Sequence, residues 1–263
     1  MFTVTYAQLN TWLTAFLWPF ARILSLVATA PILGHMSVPM RVKIGLAAFM
    51  AVVVAPTLGP LPQVTVFSAA GTWILVNQVL IGIALGFTMQ IVFAAVETAG
   101  GIIGLGMGLG FATIFDPQSS GSTDVLSMLL NMIAMLAFVA LDGHLQVIST
   151  LVMTFRSVPV SADLLGAPGW RTLAEWGGTL FAGGLMLALP VVAALLIANL
   201  CLGILNRAAP QIGVFQVGFP LTMLVGMLLV QLMLPNMIPF FARLIDSGLA
   251  EMGRVAAGLR PTP

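Results

Sequence analysis

Charged residues are so sparse that residues 44–96, 176–206 and 208–242 form three long stretches carrying none. Each exceeds the roughly 20 residues that a helix needs to cross the hydrocarbon core of a bilayer, and the first has room for two crossings. The runs are apolar all round rather than alternating with polar residues, which argues against lipid-facing strands. The pattern predicts an all-α integral membrane protein with helical segments over 9–33, 44–54, 66–96, 125–141 continuing towards Phe155, 179–205 and 214–241. Proline supplies the punctuation. Pro31, Pro39, Pro56, Pro60 and Pro62 bound the second segment, Pro159 and Pro168 mark a central polar loop, and Pro210 and Pro220 bracket a short break. A proline inside a helix removes a backbone hydrogen bond, so Pro19, Pro190, Pro235 and Pro239 predict kinked spans.

Composition agrees: 60% of the 263 residues are hydrophobic and 6% are charged, against about 25% charged in soluble domains. A net charge of +1 with no block of like charges implies neither nucleic acid nor an anionic membrane surface as partner. Under six spans the basic residues do not sort cleanly. An outside N-terminus places Arg41, Lys43 and Arg207 inside and Arg156, Arg171, Arg243, Arg254 and Arg260 outside, and the reverse topology exchanges the sets. Such ambiguity suggests that part of the apolar surface faces other subunits instead of lipid. Ala28-Thr29-Ala30 superficially resembles a signal-peptide cleavage site, but Arg22 interrupts the apolar region and Pro31 follows, so the first segment reads as a retained helix. The single thiol, Cys201, forms no intrachain disulfide.

Chemistry-bearing residues are few. His35 and His144 are the only histidines and lack ligand-spaced neighbours, which makes a metal site improbable. Ser119, Ser120 and Ser122 lie on a polar linker with no base placed beside them, so an intramembrane protease is disfavoured. Arg22 is the conspicuous charge: inside an apolar run it needs a partner or water. Glu97 or Asp142 are the candidate acids in the chain, and another subunit is a third source. A buried ion pair for assembly and a proton relay both remain open. Methionines recur at helical spacing, at Met128, Met132 and Met135 and again at Met223 and Met227 and at Met233 and Met237, either as core or as an adaptable lining.

The least ordinary stretch is GLGMGLGFATIFDPQSSGSTD at 104–124. It has neither the lysine of a phosphate loop nor the strand that precedes a dinucleotide fingerprint. Gly100, Gly101, Gly104, Gly106, Gly108 and Gly110 are expected to weaken a helix here, Pro117 biases Asp116 away from helical geometry, and Met107, Leu109, Phe111, Ile114 and Phe115 supply apolar bulk. Irregular backbone at membrane depth is tolerated only inside protein or along a watery cavity. Two readings follow, a mobile apolar segment closing a pore and a glycine-rich helix contact.

Five stretches together resemble the FliR family of flagellar export-gate proteins, whose virulence counterparts serve injectisomes: ATAPIL at 28–33, LIGIALGFTMQ at 80–90, IGLGMGLGFATIFDPQ at 103–118, DGHL at 142–145 and LNRAAPQIGVFQVGFPLT at 205–222. The resemblance covers nearly the whole chain as one membrane domain, with an earlier FliP-like part over about 1–125 and a later FliQ-like part over about 126–263. It implies kinked helical hairpins in a multi-subunit cone in the bacterial inner membrane, within the flagellar basal body, in contact with FliP-like, FliQ-like and FlhB-like proteins and membrane lipid. It implies passage of unfolded flagellar proteins, with no cofactor and no chemistry by this chain. The family's plug across the channel corresponds to Gly106, Met107, Gly108, Leu109, Gly110, Phe111, Ala112, Ile114, Phe115, Asp116 and Pro117. The alternatives are an injectisome counterpart and an ion-coupled solute transporter, for which Arg22 and Glu97 are the only hints.

Overall fold

A computed structural model describes residues 5–62, 64–109, 125–208 and 214–261. Among them the regular structure is helical. Helix α1 (Tyr6–Thr29) opens with the Thr5 N–H donating to Gln8 Oε1 at 3.1 Å, half of a capping box. It ends where Ala30, preceding Pro31, takes the extended geometry that proline imposes on its predecessor. Helix α2 (Met40–Val54) starts directly after Pro39 and runs into a 3-10 turn at Ala55–Thr57. Helix α3 is Ala69–Gly106, α4 Val125–Ala140, α5 Gly143–Ser157, α6 Ala167–Trp176, α7 Gly178–Ala208 and α8 Val214–Gly258.

Among the described residues five helical stretches are long and apolar enough to cross a membrane, and six if the bent pair α4–α5 is one span. Helices α1, α7 and α8 continue through Pro19, through Pro190, and through Pro220, Pro235 and Pro239. At about 1.5 Å per residue, α3 and α8 are roughly 57 and 68 Å long, about twice the hydrocarbon thickness.

Some boundaries differ from the sequence expectation. The glycines after Val96 do not end α3, which runs to Gly106. Within apolar surroundings a helix is the only conformation that satisfies every backbone group locally, and this outweighs about 1 kcal/mol per glycine. Helix α8 begins at Val214, where the sequence segment 214–241 begins, and runs on through Pro220 instead of breaking there. The tail beyond Phe241 is no loose end: α8 continues to Gly258, burying Met252, Val255 and Ala256 with Leu259 just beyond, while Arg254 stays exposed and pairs with Glu251 at 2.8 Å.

The chain forms two compact units. The first combines α1, α2, α3 up to Ile91, α5, α6 and α8 from Asp246. Its core is built where α1 crosses α3: a Cβ on Gly82 would come within 3.0 Å of the Leu26 nitrogen, and one on Gly86 within 2.9 Å of Thr29 Cβ. Gly82-x-x-x-Gly86 is thus a small-residue contact that lets two backbones approach. Asn77 Nδ2 donates to the Asp163 carbonyl at 2.9 Å, Trp176 Nε1 to the Thr88 carbonyl at 3.0 Å, and the buried Lys43 Nζ to the Gly34 carbonyl at 2.8 Å. The second unit combines α3 from Val92, α4, α7 and α8 up to Ile245. Phe93 and Phe138 meet edge to face with centroids 5.5 Å apart. At Gly100 the α3 backbone comes so near α4 that a Cβ would lie 2.6 Å from the Ser127 nitrogen, while Ser127 Oγ donates to the Glu97 carbonyl at 2.9 Å.

Candidate functional site

Arg22 lies one helical turn before the crossing of α1 with α3 and is fully buried. Its Nε donates to Gln78 Oε1 at 2.8 Å, Nη1 to Thr154 Oγ1 at 3.3 Å and Nη2 to the Val158 carbonyl at 2.9 Å, while the guanidinium plane lies 4.2 Å from the centroid of Phe155. The planar fork of arginine suits this convergence of three acceptors above a ring. The acid expected as partner is not there: Asp142 and Glu97 are both exposed, and the charge is held by neutral acceptors and a ring. A guanidinium with no exposed surface is also closed to an acid from another subunit. The physical reason is that charge-assisted hydrogen bonds to neutral oxygens, each stronger than an ordinary one, can together replace a single carboxylate.

The glycine-rich stretch divides in two. Its first part is ordered as a helix end. Gly108 has φ 83°, its N–H donates to the Leu105 carbonyl at 3.0 Å, and the Leu109 N–H reaches back to the Gly104 carbonyl at 3.0 Å. This pair of bonds with a left-handed glycine is a Schellman cap, which terminates α3 and satisfies its last carbonyls. Met107, just before that glycine, is fully buried. Thr222 Oγ1 on α8 donates to the Met107 carbonyl at 3.2 Å. A Cβ on Gly226 would overlap the Met107 side chain, and one on Gly106 would touch Leu195 Cδ1 at 3.3 Å. Gly106 and Met107 are therefore packed and capped. The remaining residues of the expected plug, Gly110, Phe111, Ala112, Ile114, Phe115, Asp116 and Pro117, and the serines that follow, lie outside the described residues.

The methionines divide as well. Met237 is core, whereas Met128, Met132, Met223 and Met227 are exposed. Met223 and Met227 line an open apolar groove of about 750 Å³ with Leu129, Ile133, Pro220 and Gln231.

Residues 13–248, a span that contains Arg22, Gln78, the end of α3, Thr222 and Gly226, match the sequence model of the family described as bacterial export proteins, family 1. The chain belongs to that family. It is 49% identical to the flagellar biosynthetic protein FliR of Escherichia coli (strain K12), over 94% of each chain, and 46% identical to that of Pectobacterium carotovorum subsp. carotovorum over the same shares. The likeness extends to FliR of Bacillus subtilis (strain 168), 28% identical over 82% of this chain and 84% of that one.

In this member of the export family, the sequence carried no sign of the partners of Arg22 and only a weak one of those of Met107. Gln78, Thr154 and Val158 come from segments 56 to 136 positions away from Arg22, with no local signal. Thr222 and Gly226 did carry one: Gly218, Thr222 and Gly226 are spaced by four, the mark of a helix face that another backbone approaches.

Proposed function

We propose that this chain is the core subunit of a flagellar type III export gate, forming with FliP-like and FliQ-like proteins the inner-membrane channel for unfolded flagellar proteins, with an FlhB-like protein docked on it. The observation that carries the proposal is the 49% identity to FliR along 94% of both chains. The division into a FliP-like part over about 1–125 and a FliQ-like part over about 126–263 belongs to the same proposal. So does the stretch 106–117 as the resting seal of the channel, which the apolar bulk of Phe111, Ile114 and Phe115 supports because water in a narrow apolar neck is unfavourable. The length of α3 and α8, about twice a bilayer core, supports an assembly that extends beyond the membrane plane, and the exposed apolar flank of α7, with Phe181, Met186, Ile197 and Ile204 each more than 60% exposed, supports neighbours or lipid around it.

An ion-coupled transporter would need ionisable groups facing a water-filled path at mid-membrane. Arg22, the charge that first suggested one, is enclosed and satisfied by neutral groups, so the export reading is favoured. The test is replacement of FliR in a flagellated bacterium that lacks it. The account expects restored export of flagellar subunits and co-purification of the FliP-like and FliQ-like proteins in mild detergent. A chain that reaches the membrane, purifies alone and restores no export contradicts it.

A further inference from the structure

Helices α1 and α3 run parallel and in register. Asn10 Nδ2 donates to the Val64 carbonyl at 3.3 Å and its Oδ1 accepts from the Val66 N–H at 3.4 Å. Further along, Arg22 meets Gln78, and Gly82 and Gly86 lie against Leu26 and Thr29. A residue of α1 thus stands beside the one 56 positions later. That register brings Phe67, just before α3, to about the level of Trp12, with Tyr6 less than two turns beyond; they are 92%, 61% and 73% exposed. Residues 1–21 and 55–68 carry no charged side chain, so this end is aromatic and neutral. Helix α2 packs back along α1, and the end where the two are joined is basic. Arg41 and His35 are exposed there, and the buried Lys43 sends its Nζ back towards the joining turn, to the Gly34 carbonyl at 2.8 Å, as a snorkelling lysine does. Between the two ends α2 has no polar side chain from Ile44 to Val54, and its Phe49, Val52 and Val53 are exposed. From Trp12 to Thr29, and again from Met40 to Thr57, the rise along the helix is about 26 Å, close to the roughly 30 Å of a bilayer core.

We propose that the outer face of the α1–α2 hairpin is seated in phospholipid, with Tyr6, Trp12 and Phe67 at the outer headgroup layer and Arg41 and Lys43 at the phosphates of the cytoplasmic layer. Three features select lipid over a neighbouring helix. Trp and Tyr collect at membrane surfaces, where an apolar body and a polar tip are both satisfied. The cations complement anionic headgroups. The two groups also stand one hydrocarbon thickness apart, a spacing that a protein neighbour does not impose. Direction follows from the basic turn, because short cytoplasmic loops carry the excess of Lys and Arg. Arg156 and Asp163 are exposed near the level of Arg22, but they belong to α5 and the loop after it, so that flank is not part of the lipid face. The placement goes beyond the export reading and does not depend on it.

The test uses the full chain with its FliP-like and FliQ-like partners in a Cys201→Ser background, which removes the only thiol. Gly59→Cys and Met36→Cys put single thiols at the two ends, one at a glycine with open space around it and one at a fully exposed residue. In spheroplasts an impermeant maleimide should label position 59 and not 36, and in inverted membrane vesicles the reverse. Labelling of both from one side, or the opposite pattern, overturns the proposal. Phe49→Cys, midway between the two ends, carries bimane into vesicles of phosphatidylethanolamine and phosphatidylglycerol. Lipids brominated near their chain ends should remove most of its emission from the assembled complex. Emission left untouched, in a complex that still holds its partners, means that a subunit covers the face and overturns it as a lipid surface. A chain that purifies alone counts against the export reading instead, and its labelling and quenching still decide this one.

Discussion

Replacing Arg22 by alanine removes three donors and a ring contact from a site that water does not reach. The Gln78 carbonyl oxygen and the Val158 carbonyl lose donors at 2.8 and 2.9 Å, and each buried acceptor left without one costs about 1–3 kcal/mol. The contact with Phe155 at 4.2 Å contributes about 2 kcal/mol more in a desolvated setting. Opposing these losses, the variant no longer has to bury a charge, a relief of several kcal/mol. Partial cancellation leaves a net loss of roughly 2–4 kcal/mol, within the range known for breaking buried polar networks. At about 2–4 °C per kcal/mol for a chain of this size, the thermal midpoint of the detergent-solubilised protein, followed by size-exclusion fluorescence, should fall by roughly 4–16 °C. Recovery of the assembled complex should fall with it, through the fold of the first unit and not through a lost contact between subunits. Arg22→Met keeps most of the volume but still orphans Gln78, so Arg22→Met combined with Gln78→Leu should be more stable than Arg22→Met alone by about 1 kcal/mol. An Arg22→Ala protein with an unchanged midpoint would refute the reasoning, and an Arg22→Met/Gln78→Leu protein no better than Arg22→Met would show that Gln78 is not the partner that matters.

Gly82→Val should separate α1 from α3, because the added carbons would press on the backbone of α1 near Arg22 and Leu26; overpacking of this kind costs about 1–3 kcal/mol, read as a lower midpoint, and unaltered stability would contradict the crossing. Gly108→Ala should weaken the cap of α3 by about 1–2 kcal/mol, the penalty of a left-handed conformation for a residue with a Cβ, and Gly108→Val by more; the account expects reduced export with the complex still assembled, and normal export by Gly108→Val would contradict a need for that cap.

Helix positions were readable because twenty-residue apolar runs admit one solution in a bilayer. Their ends were not, for reasons that differ from place to place. Glycines at 100–106 look like helix breakers to a propensity scale derived in water, but at Gly100 the missing side chain admits the backbone of Ser127, so the same residues that weaken the helix locally fasten it tertiarily. The tail after Phe241 carries enough charge to resemble a loop, yet Met252, Val255 and Leu259 are buried and make it one side of a core. Arg22 was legible as a buried charge, but not its solution: a carboxylate is the partner that chain statistics suggest, whereas Gln78, Thr154 and a main-chain carbonyl converge only after folding. Family membership was legible because its carrying residues, the proline- and glycine-bearing segments at 103–118 and 205–222, are unusual for any membrane helix.

The central claim is that this chain seals and lines a protein-wide channel, and ion conduction by the assembled complex tests it most directly. A channel able to pass an unfolded chain must exclude ions at rest, and an apolar constriction does so by dewetting. Deleting residues 109–115 removes Phe111, Ile114 and Phe115 and keeps Met107, packed against α8. With its FliP-like and FliQ-like partners present, the account predicts an intact complex that conducts ions and collapses the membrane potential, while the deleted chain expressed alone does neither. A deletion complex that assembles fully and remains impermeable to ions would place the closure elsewhere and contradict the account.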